Sequence, residues 1–137
     1  MCIRDSSSPI CFDIAFPNTV RKMNKSSLLM INVSNDTWFG NSIGPYHHLS
    51  IARVRSIENN RYTIRATNDG ISAIISNKGT IVSLLNKGKS GILESNVKLI
   101  KNNTFYSRNG HLFFIILSFI IVLITFLNII WKKPLRS

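Results

Sequence analysis

Residues 32–75 read NVSNDTWFGNSIGPYHHLSIARVRSIENNRYTIRATNDGISAII, and the apolar runs in and around this stretch decide the fold. Residues 28–33 (LLMINV) form an almost continuous apolar run, which predicts a strand of a parallel sheet covered on both faces. A helix is predicted from residue 45 to about residue 60, because Pro45 suits a first helical turn and apolar residues recur at helical spacing after it. Residues 62–66 predict the next strand.

Two turn signals follow, Asn-Asp-Gly at residues 68–70 and Asn-Lys-Gly at residues 77–79. They predict antiparallel strands over residues 71–76 and 80–85, and the alternating residues 91–100 predict an edge strand. Strands and helices in this order indicate an α/β layer fold.

The segment upstream begins with an apolar run at residues 9–16 that ends at Phe16-Pro17 and predicts a buried strand. Residues 18–25 predict a short helix. The first residues, MCIRDSS, lack the apolar region of a signal peptide and resemble translated adapter sequence. We therefore expect residues 1–8 to be a leader foreign to the domain.

Residues 112–131 read LFFIILSFIIVLITFLNIIW and carry no charge. A helix of this length is about 30 Å long, which matches the hydrocarbon core of a bilayer, and it lacks the polar stripe of a soluble helix. The basic tail at residues 132–137 predicts a cytoplasmic C-terminus by the positive-inside rule. The preceding domain would then lie in the periplasm of a bacterium, at its inner membrane.

The net charge of +11 predicts an anionic partner. The positive charges are scattered and a periplasmic domain would not meet nucleic acid, so we expect an anionic membrane surface, at ~1 kcal/mol per basic residue near the bilayer. Two cysteines without a metal-ligand spacing predict neither a disulfide framework nor a metal site. No cofactor is predicted, and we expect a monomer.

Cys11 is the candidate nucleophile, in ICFD at residues 10–13. A catalytic cysteine needs exposure and a nearby base or cation, because the thiolate is the reactive form. A lone cysteine in an apolar strand is more often inert core, so ICFD alone is a weak signal and both interpretations stay open on these residues.

The polar loop that follows residue 33 carries two large apolar residues, Trp38 and Phe39. They would form a lid or a lipid contact, or else plug the core of the domain. Asp36 has no partner at helical spacing and would cap the turn. The adjacent His47 and His48 point in different directions at a helix start, so they are not predicted as metal ligands.

ICFDIAFP (residues 10–17) resembles the nucleophile strand of the nitrilase, or carbon–nitrogen hydrolase, superfamily. Residues 32–75, with the apolar helix and basic tail after them, resemble the apolipoprotein N-acyltransferase family. The resemblance implies an α/β fold, the C-terminal half of a nitrilase-like αββα sandwich followed by one transmembrane helix. It also implies a ping-pong reaction in which a cysteine accepts an acyl chain from a phospholipid as a thioester. The acyl group is then transferred from the cysteine to the N-terminal amine of a diacylglyceryl-cysteine apolipoprotein.

By position, Cys11 matches the nucleophile of that family. Phe12 and Asp13 match the neighbours that support it, where the family often has Tyr and Glu, so a phenolic hydroxyl is lost and the carboxylate is kept on a shorter stem. The resemblance assigns four residues to a substrate and lid loop: Asn35, Asp36, Trp38 and Phe39. His47 replaces what is commonly Gln.

The superfamily's triad also needs a Glu as general base and a Lys that stabilises the oxyanion, and both come from sequence before the cysteine. We therefore expect this chain alone to be inactive. The expected organisation is a leader (1–8), a partial nitrilase-like domain (9–104), a linker (105–111), a transmembrane helix (112–131) and a cytoplasmic tail (132–137).

Two other functions fit the sequence. One is a membrane-anchored amidase or nitrilase, which would share Cys11 without needing the Trp-Phe-Gly loop. The other is a non-catalytic basic module on a single membrane anchor, in which Cys11→Ser would leave binding unchanged.

Overall fold

A mixed β-sheet forms the centre of the fold in the computed structural model, which describes residues 5–131. In this part of the chain the sheet has five strands in the order β1-β2-β3-β4-β5. They are β1 (Ser6–Ser7), β2 (Leu29–Asn35), β3 (Tyr62–Asn68), β4 (Ser72–Ile75) and β5 (Ile81–Leu85). The first three are parallel and the last three antiparallel, which confirms the predicted α/β class, the parallel position of β2 and the hairpin after β3.

Four α-helices accompany the sheet in the described residues: α1 (Pro17–Met23), α2 (Gly44–Asn59), α3 (Phe105–Asn109) and α4 (Leu112–Trp131). α2 makes the crossover between the parallel strands β2 and β3. It carries proline in its first turn, as predicted, and ends at Asn60 in the left-handed conformation with φ 53°.

The core lies between α2 and one face of the sheet. Its buried apolar side chains are Ile14, Val20, Met30, Leu49, Ala52, Ile71, Ala73 and Ile75. A fully buried Ile, Leu or Met contributes roughly 1.5–3 kcal/mol, so this interface is the main apolar stabilisation of the domain. Polar residues of β2 and β3 are buried on the same face, and they form the candidate site described below.

The strand predicted for residues 9–16 is wrong. The chain makes one isolated parallel bridge, between Ile10 and Val33, and then turns into a 3₁₀-helix over Cys11–Ala15. The turn follows from the positive φ of Cys11, 49°, which no strand accommodates. Phe12 and Phe16 are consequently exposed rather than buried in a sheet.

The edge strand predicted for residues 91–100 is also wrong, because this segment has no regular secondary structure. Its backbone makes one link to the sheet region, from Ile100 N to Leu28 O at 3.3 Å. Leu93, Val97 and Ile100 are its half-buried apolar residues, and their spacing is not the two-residue period of a strand.

The predicted leader overlaps the first strand. Ser6–Ser7 pair in parallel with Leu29 and Met30, and the buried Ser7 donates from Oγ to Asn24 Oδ1 at 2.8 Å. Residues 6 and 7 are therefore part of the sheet, while residues 1–4 lie outside the described residues.

The C-terminal helix α4 is long and apolar enough to cross a membrane. Its mean hydropathy is 3.0, and its side chains are not buried against the rest of the domain. The short α3, within the predicted linker, is held to the domain by Arg21, whose Nη1 donates to Ser107 O at 3.4 Å. The basic tail at residues 132–137 lies outside the described residues, so its cytoplasmic position stays a prediction.

Candidate active site

Cys11 lies where the chain leaves the sheet and begins the 3₁₀-helix. Its thiol is partly exposed and its φ is 49°, in the left-handed region that a residue with a side chain rarely adopts. Such a conformation costs roughly 1–3 kcal/mol and persists only where surrounding contacts enforce it. This is the geometry of a side chain presented at a sharp turn.

Three hydrogen bonds enforce the turn. Asn32, buried on β2, donates from Nδ2 to Pro9 O at 2.8 Å and to Cys11 O at 3.3 Å. The Asp13 carboxylate accepts from Ile10 N at 3.2 Å across the start of the 3₁₀-helix. Asp13, predicted to support the nucleophile, therefore stabilises the backbone that carries it.

A hydrogen-bonded chain runs from the thiol into the interior. Ser34 Oγ lies 3.5 Å from Cys11 Sγ and 2.7 Å from Asp36 Oδ1. The carboxylate of Asp36 is fully buried and has two further partners, His48 Nδ1 at 2.9 Å and Arg65 Nη2 at 2.8 Å. The expectation that Asp36 only caps the turn is therefore replaced by a buried network that reaches Cys11.

These surroundings favour the thiolate. The Ser34 hydroxyl and the backbone amides of Asn35 and Phe12 lower the pKa of Cys11, against the opposing effects of burial and of the Asp36 charge. A lower thiol pKa leaves more of the nucleophilic form at neutral pH. The inert-core interpretation of Cys11 does not fit a partly exposed thiol with this environment.

His48 stays neutral in this network. Burial and the Arg65 charge lower the pKa of His48 despite its contact with Asp36. A neutral ring beside a carboxylate donates from Nδ1, which leaves Nε2 without a hydrogen-bond partner inside the described part of the protein. His48 is thus a donor that fixes Asp36.

Aromatic side chains form a wall beside the thiol. Trp38, which is 63% exposed, stacks on Phe39 with ring centroids 3.9 Å apart. Phe12 makes edge contacts with Trp38 at 6.3 Å and with Phe16 at 6.1 Å. The structure therefore brings the predicted lid residues together with the residue next to Cys11, and leaves their outer faces open.

The loop that carries this wall has its own internal supports. Asn35 Oδ1 accepts from the backbone N and the hydroxyl of Thr37, at 3.2 and 2.6 Å. Gly44 leaves room for Phe39, since a Cβ at Gly44 would lie 2.1 Å from the Phe39 ring. Asn35 acts as a support of the loop in this geometry.

Residues 6–101 match the carbon–nitrogen hydrolase family. The chain belongs to the carbon–nitrogen hydrolase family.

This carbon–nitrogen hydrolase chain is similar to proteins named apolipoprotein N-acyltransferase in several bacteria. It is 37% identical to the one from Shewanella oneidensis over 120 residues, 87% of this chain and 23% of that protein. It is 35% identical to the one from Rickettsia bellii over 93% of this chain and 26% of that protein. The chain thus spans about a quarter of the length of the curated relatives it matches. Among solved structures, it is similar to an amidase from Nesterenkonia of the nitrilase superfamily, with 20% identity, a TM-score of 0.48 and coverage of 60% of this chain and 34% of that one.

Sequence reasoning missed four residues of the candidate site: Asn32, Ser34, His48 and Arg65. A signal for the first two was present, because polar residues recur at every second position, 32, 34 and 36, from within an apolar run into the loop after it. Buried polar groups need hydrogen-bond partners, so this alternation points to a polar network on one face of the strand.

A cleft of about 680 Å³ opens at the C-terminal ends of the parallel strands β2 and β3. Its lining includes Ser34, Asn68 and Gly70, together with the polar turn at residues 88–91. Ligands of α/β sheets bind at this edge. Ser34, whose Oγ lies 3.5 Å from Cys11 Sγ, is one of the lining residues, whereas Cys11 itself is not part of the lining.

Proposed function

We propose that the protein to which this chain belongs is a membrane N-acyltransferase of lipoprotein maturation. It would transfer an acyl chain from a phospholipid, through a thioester on Cys11, to the N-terminal amine of a diacylglyceryl-cysteine apolipoprotein. The observation that carries the proposal is the setting of Cys11. The thiol is partly exposed, and its hydrogen bonds favour the thiolate form. It lies between the buried polar network of Ser34 and the exposed aromatic wall of Phe12 and Trp38. The names of the relatives support the same reaction.

The chemistry proceeds in two steps. The Cys11 thiolate attacks the ester carbonyl of the phospholipid, and the lysophospholipid oxygen leaves, so that the acyl chain becomes a thioester. The free α-amine of the acceptor then attacks the thioester, which forms an amide and releases the thiolate. The Glu and Lys implied by the family resemblance would serve as base and oxyanion donor. The resemblance implies that both precede the cysteine in sequence, and we propose that the 137-residue chain alone is inactive.

The aromatic wall suits an acyl chain. The Trp38 and Phe12 rings are apolar surfaces next to the nucleophile, and each buried methylene of an acyl chain contributes about 0.8 kcal/mol. We propose that α4 anchors the domain in the bacterial inner membrane, with the domain periplasmic and residues 132–137 cytoplasmic. The predicted boundaries of the partial domain and of the linker remain part of this proposal, except that residues 6 and 7 belong to the sheet and not to a leader.

A chimera tests the function directly. In the Shewanella oneidensis relative, the matched 120 residues are replaced by those of this chain, and the hybrid is assayed for N-acylation of a diacylated lipoprotein. We expect product and, without acceptor, an acyl adduct that neutral hydroxylamine removes. Cys11→Ser should abolish both, whereas Thr19→Ala, an exposed position on α1, should abolish neither.

Two outcomes would overturn the proposal. Release of free fatty acid without transfer to the amine would identify a hydrolase. Full transfer by the Cys11→Ser hybrid would remove Cys11 from the mechanism.

A further inference from the structure

We propose that Ser34 is a catalytic residue that holds the Cys11 thiolate by turning its hydroxyl hydrogen from Asp36 to Sγ. The proposal rests on the proposed function for its catalytic meaning, but its evidence is the geometry of the described residues. A second part follows from the same network. Arg65 is the positioning residue that keeps both ends of this relay in place.

Ser34 has two acceptors within reach and a single hydrogen to donate. Asp36 Oδ1 lies 2.7 Å from Ser34 Oγ, and Cys11 Sγ lies 3.5 Å from it. One hydroxyl hydrogen cannot serve both atoms. In the thiol state, Cys11 donates weakly to Ser34 Oγ while Ser34 donates to the carboxylate. When the thiol proton leaves to a carboxylate base or to water, Sγ becomes the anion, and the hydroxyl turns toward it.

The rotation is inexpensive because Asp36 keeps its other donors. When Ser34 turns away, Oδ1 still accepts from His48 Nδ1 at 2.9 Å, and Oδ2 still accepts from Arg65 Nη2 at 2.8 Å. A buried carboxylate left without donors would carry a large desolvation cost, so these two contacts make the hydroxyl available to the sulfur.

Arg65 connects the relay to the backbone of the nucleophile. Its Nη1 donates to Asn32 Oδ1, which orients the Asn32 amide. The Nδ2 of that amide donates to the carbonyls of Pro9 and Cys11. One guanidinium therefore fixes the carboxylate behind Ser34 and also the strained turn that presents the thiol.

Charged and titratable groups near the thiol lie on four of the segments around it, while Arg21 of α1, which also packs on the 3₁₀-helix, donates to Ser107 O and Arg108 O. Asp13 lies on the thiol's own 3₁₀-helix, Asp36 follows β2, His48 lies on α2 and Arg65 lies on β3. Asp36 and Arg65 form a buried ion pair of opposite signs, and His48 is neutral. The Ser34 dipole is consequently the adjustable group in contact with Sγ.

The test is the pH dependence of Cys11 alkylation by iodoacetamide. It uses the full 137-residue chain in detergent micelles, with Cys2→Ser so that Cys11 is the one thiol. Ser34→Ala should move the rate profile to higher pH and slow alkylation at pH 7 roughly tenfold, since a hydrogen bond to an anion is lost. The limiting rate at high pH should not fall, because access to the thiolate remains and a thiolate of higher pKa is the stronger nucleophile.

A matched pair controls for packing. Ser34→Thr and Ser34→Val add the same branch to a buried position and differ in the hydroxyl, so Thr should keep the parent profile and Val should reproduce the shift. In concentrated guanidinium chloride the parent and the Ala, Thr and Val variants of Ser34 should share one pH profile of alkylation, because unfolding removes the contact with Cys11. Asn32→Ala or Arg65→Met should also shift the native profile, through the turn that they hold.

The relay would be overturned if Ser34→Ala and the parent gave the same native pH profile of alkylation, or if Ser34→Thr and Ser34→Val did. A parent profile in micelles that equals its profile in guanidinium chloride would also overturn it. Because alkylation needs neither phospholipid nor acceptor, the two proposals fail separately. A shifted profile with a chimera that releases free fatty acid without transfer would leave the relay standing and refute the acyl transfer. Equal profiles for Ser34→Ala and the parent, with a chimera that transfers the acyl chain, would refute the relay alone.

Discussion

Arg65 Nη2 donates to Asp36 Oδ2 at 2.8 Å, and both side chains are fully buried beneath Cys11. The two residues are 29 positions apart, so the pair links the loop after β2 to the middle of β3. A buried ion pair is stabilising only when its geometry is good and its remaining hydrogen-bonding atoms are paired. Here Asp36 is also bonded to Ser34 and His48, and Arg65 to Asn32, while Arg65 Nε is buried without a hydrogen-bond partner among the described residues.

Removing one member of this pair should be far more damaging than removing both. Arg65→Met leaves the Asp36 charge buried without its partner, and we expect the free energy of unfolding to fall by about 3–5 kcal/mol. The double variant with Asp36→Leu should recover much of that loss. Urea unfolding of the chain in micelles measures both. Lys22→Met, at an exposed position on α1, should change stability by less than about 0.5 kcal/mol. Single and double variants of equal stability would show that the pair is not coupled.

Gly70 should be intolerant of even one added methyl group. A Cβ at Gly70 would lie 2.5 Å from Asp36 Oδ2, and the carboxylate cannot retreat because three donors hold it. Gly70→Ala should therefore lower stability by about 1–3 kcal/mol and slow Cys11 alkylation at pH 7. Gly91→Ala is the matched control, since its Cβ would meet Leu85 at an ordinary 3.4 Å. Equal melting temperatures for the two variants would contradict the close approach.

Apolar patterning predicted most of the fold because it reports burial along a single element. The strand at residues 28–33, the helix after Pro45 and the hairpin turns are found within two residues of their predicted bounds. The strand predicted for residues 9–16 failed for a reason that no local pattern contains. The Asn32 side-chain amide donates hydrogen bonds to the carbonyls of Pro9 and Cys11, and these bonds hold the backbone in a turn.

The site was predictable only where a residue type carries its own chemistry. Cys11 stands out as a nucleophile type, and Trp38 stands out as a large apolar residue in a polar loop. Arg65 looked like an ordinary polar residue of a strand. Its role comes from contacts across two strands, which a linear pattern does not show. The edge strand at residues 91–100 failed similarly, because alternation predicts faces but supplies no pairing partner.

Trp38 should set the preference for the acyl donor. In the chimera, Trp38→Ala removes the exposed ring that stacks on Phe39 and adjoins Phe12. We expect kcat/KM to fall several-fold for long-chain phospholipids and little for short-chain ones, since the lost contact is apolar area. Tyr46→Ala, an equally exposed aromatic position on α2, should leave both unchanged. The lid assignment would be wrong if the two variants lost activity in parallel, or if donor length made no difference.

His48 should make the domain less stable in mild acid. Burial and Arg65 lower the pKa of His48, so the folded protein keeps the ring neutral where the unfolded chain already binds a proton. The stabilisation is fully present above the unfolded value of about 6.5 and is lost as the pH falls below it, at up to about 1.4 kcal/mol per pH unit. Unfolding free energies measured between pH 7.5 and pH 5.5 should therefore decline in the parent and decline less in His48→Asn.

The control for this dependence is the neighbouring His47, which is exposed on the same helix. His47→Asn should keep the pH slope of the parent. Burial raises the pKa of Glu58, so Glu58 makes the folded protein more stable as the pH falls, opposite to His48. This contribution is the same in every variant and cancels when their pH slopes are compared. If His48→Asn retained the full acid sensitivity while His47→Asn lost it, the neutral donor to Asp36 would not be His48, and the relay behind Ser34 would lack one of the two contacts that free its hydroxyl.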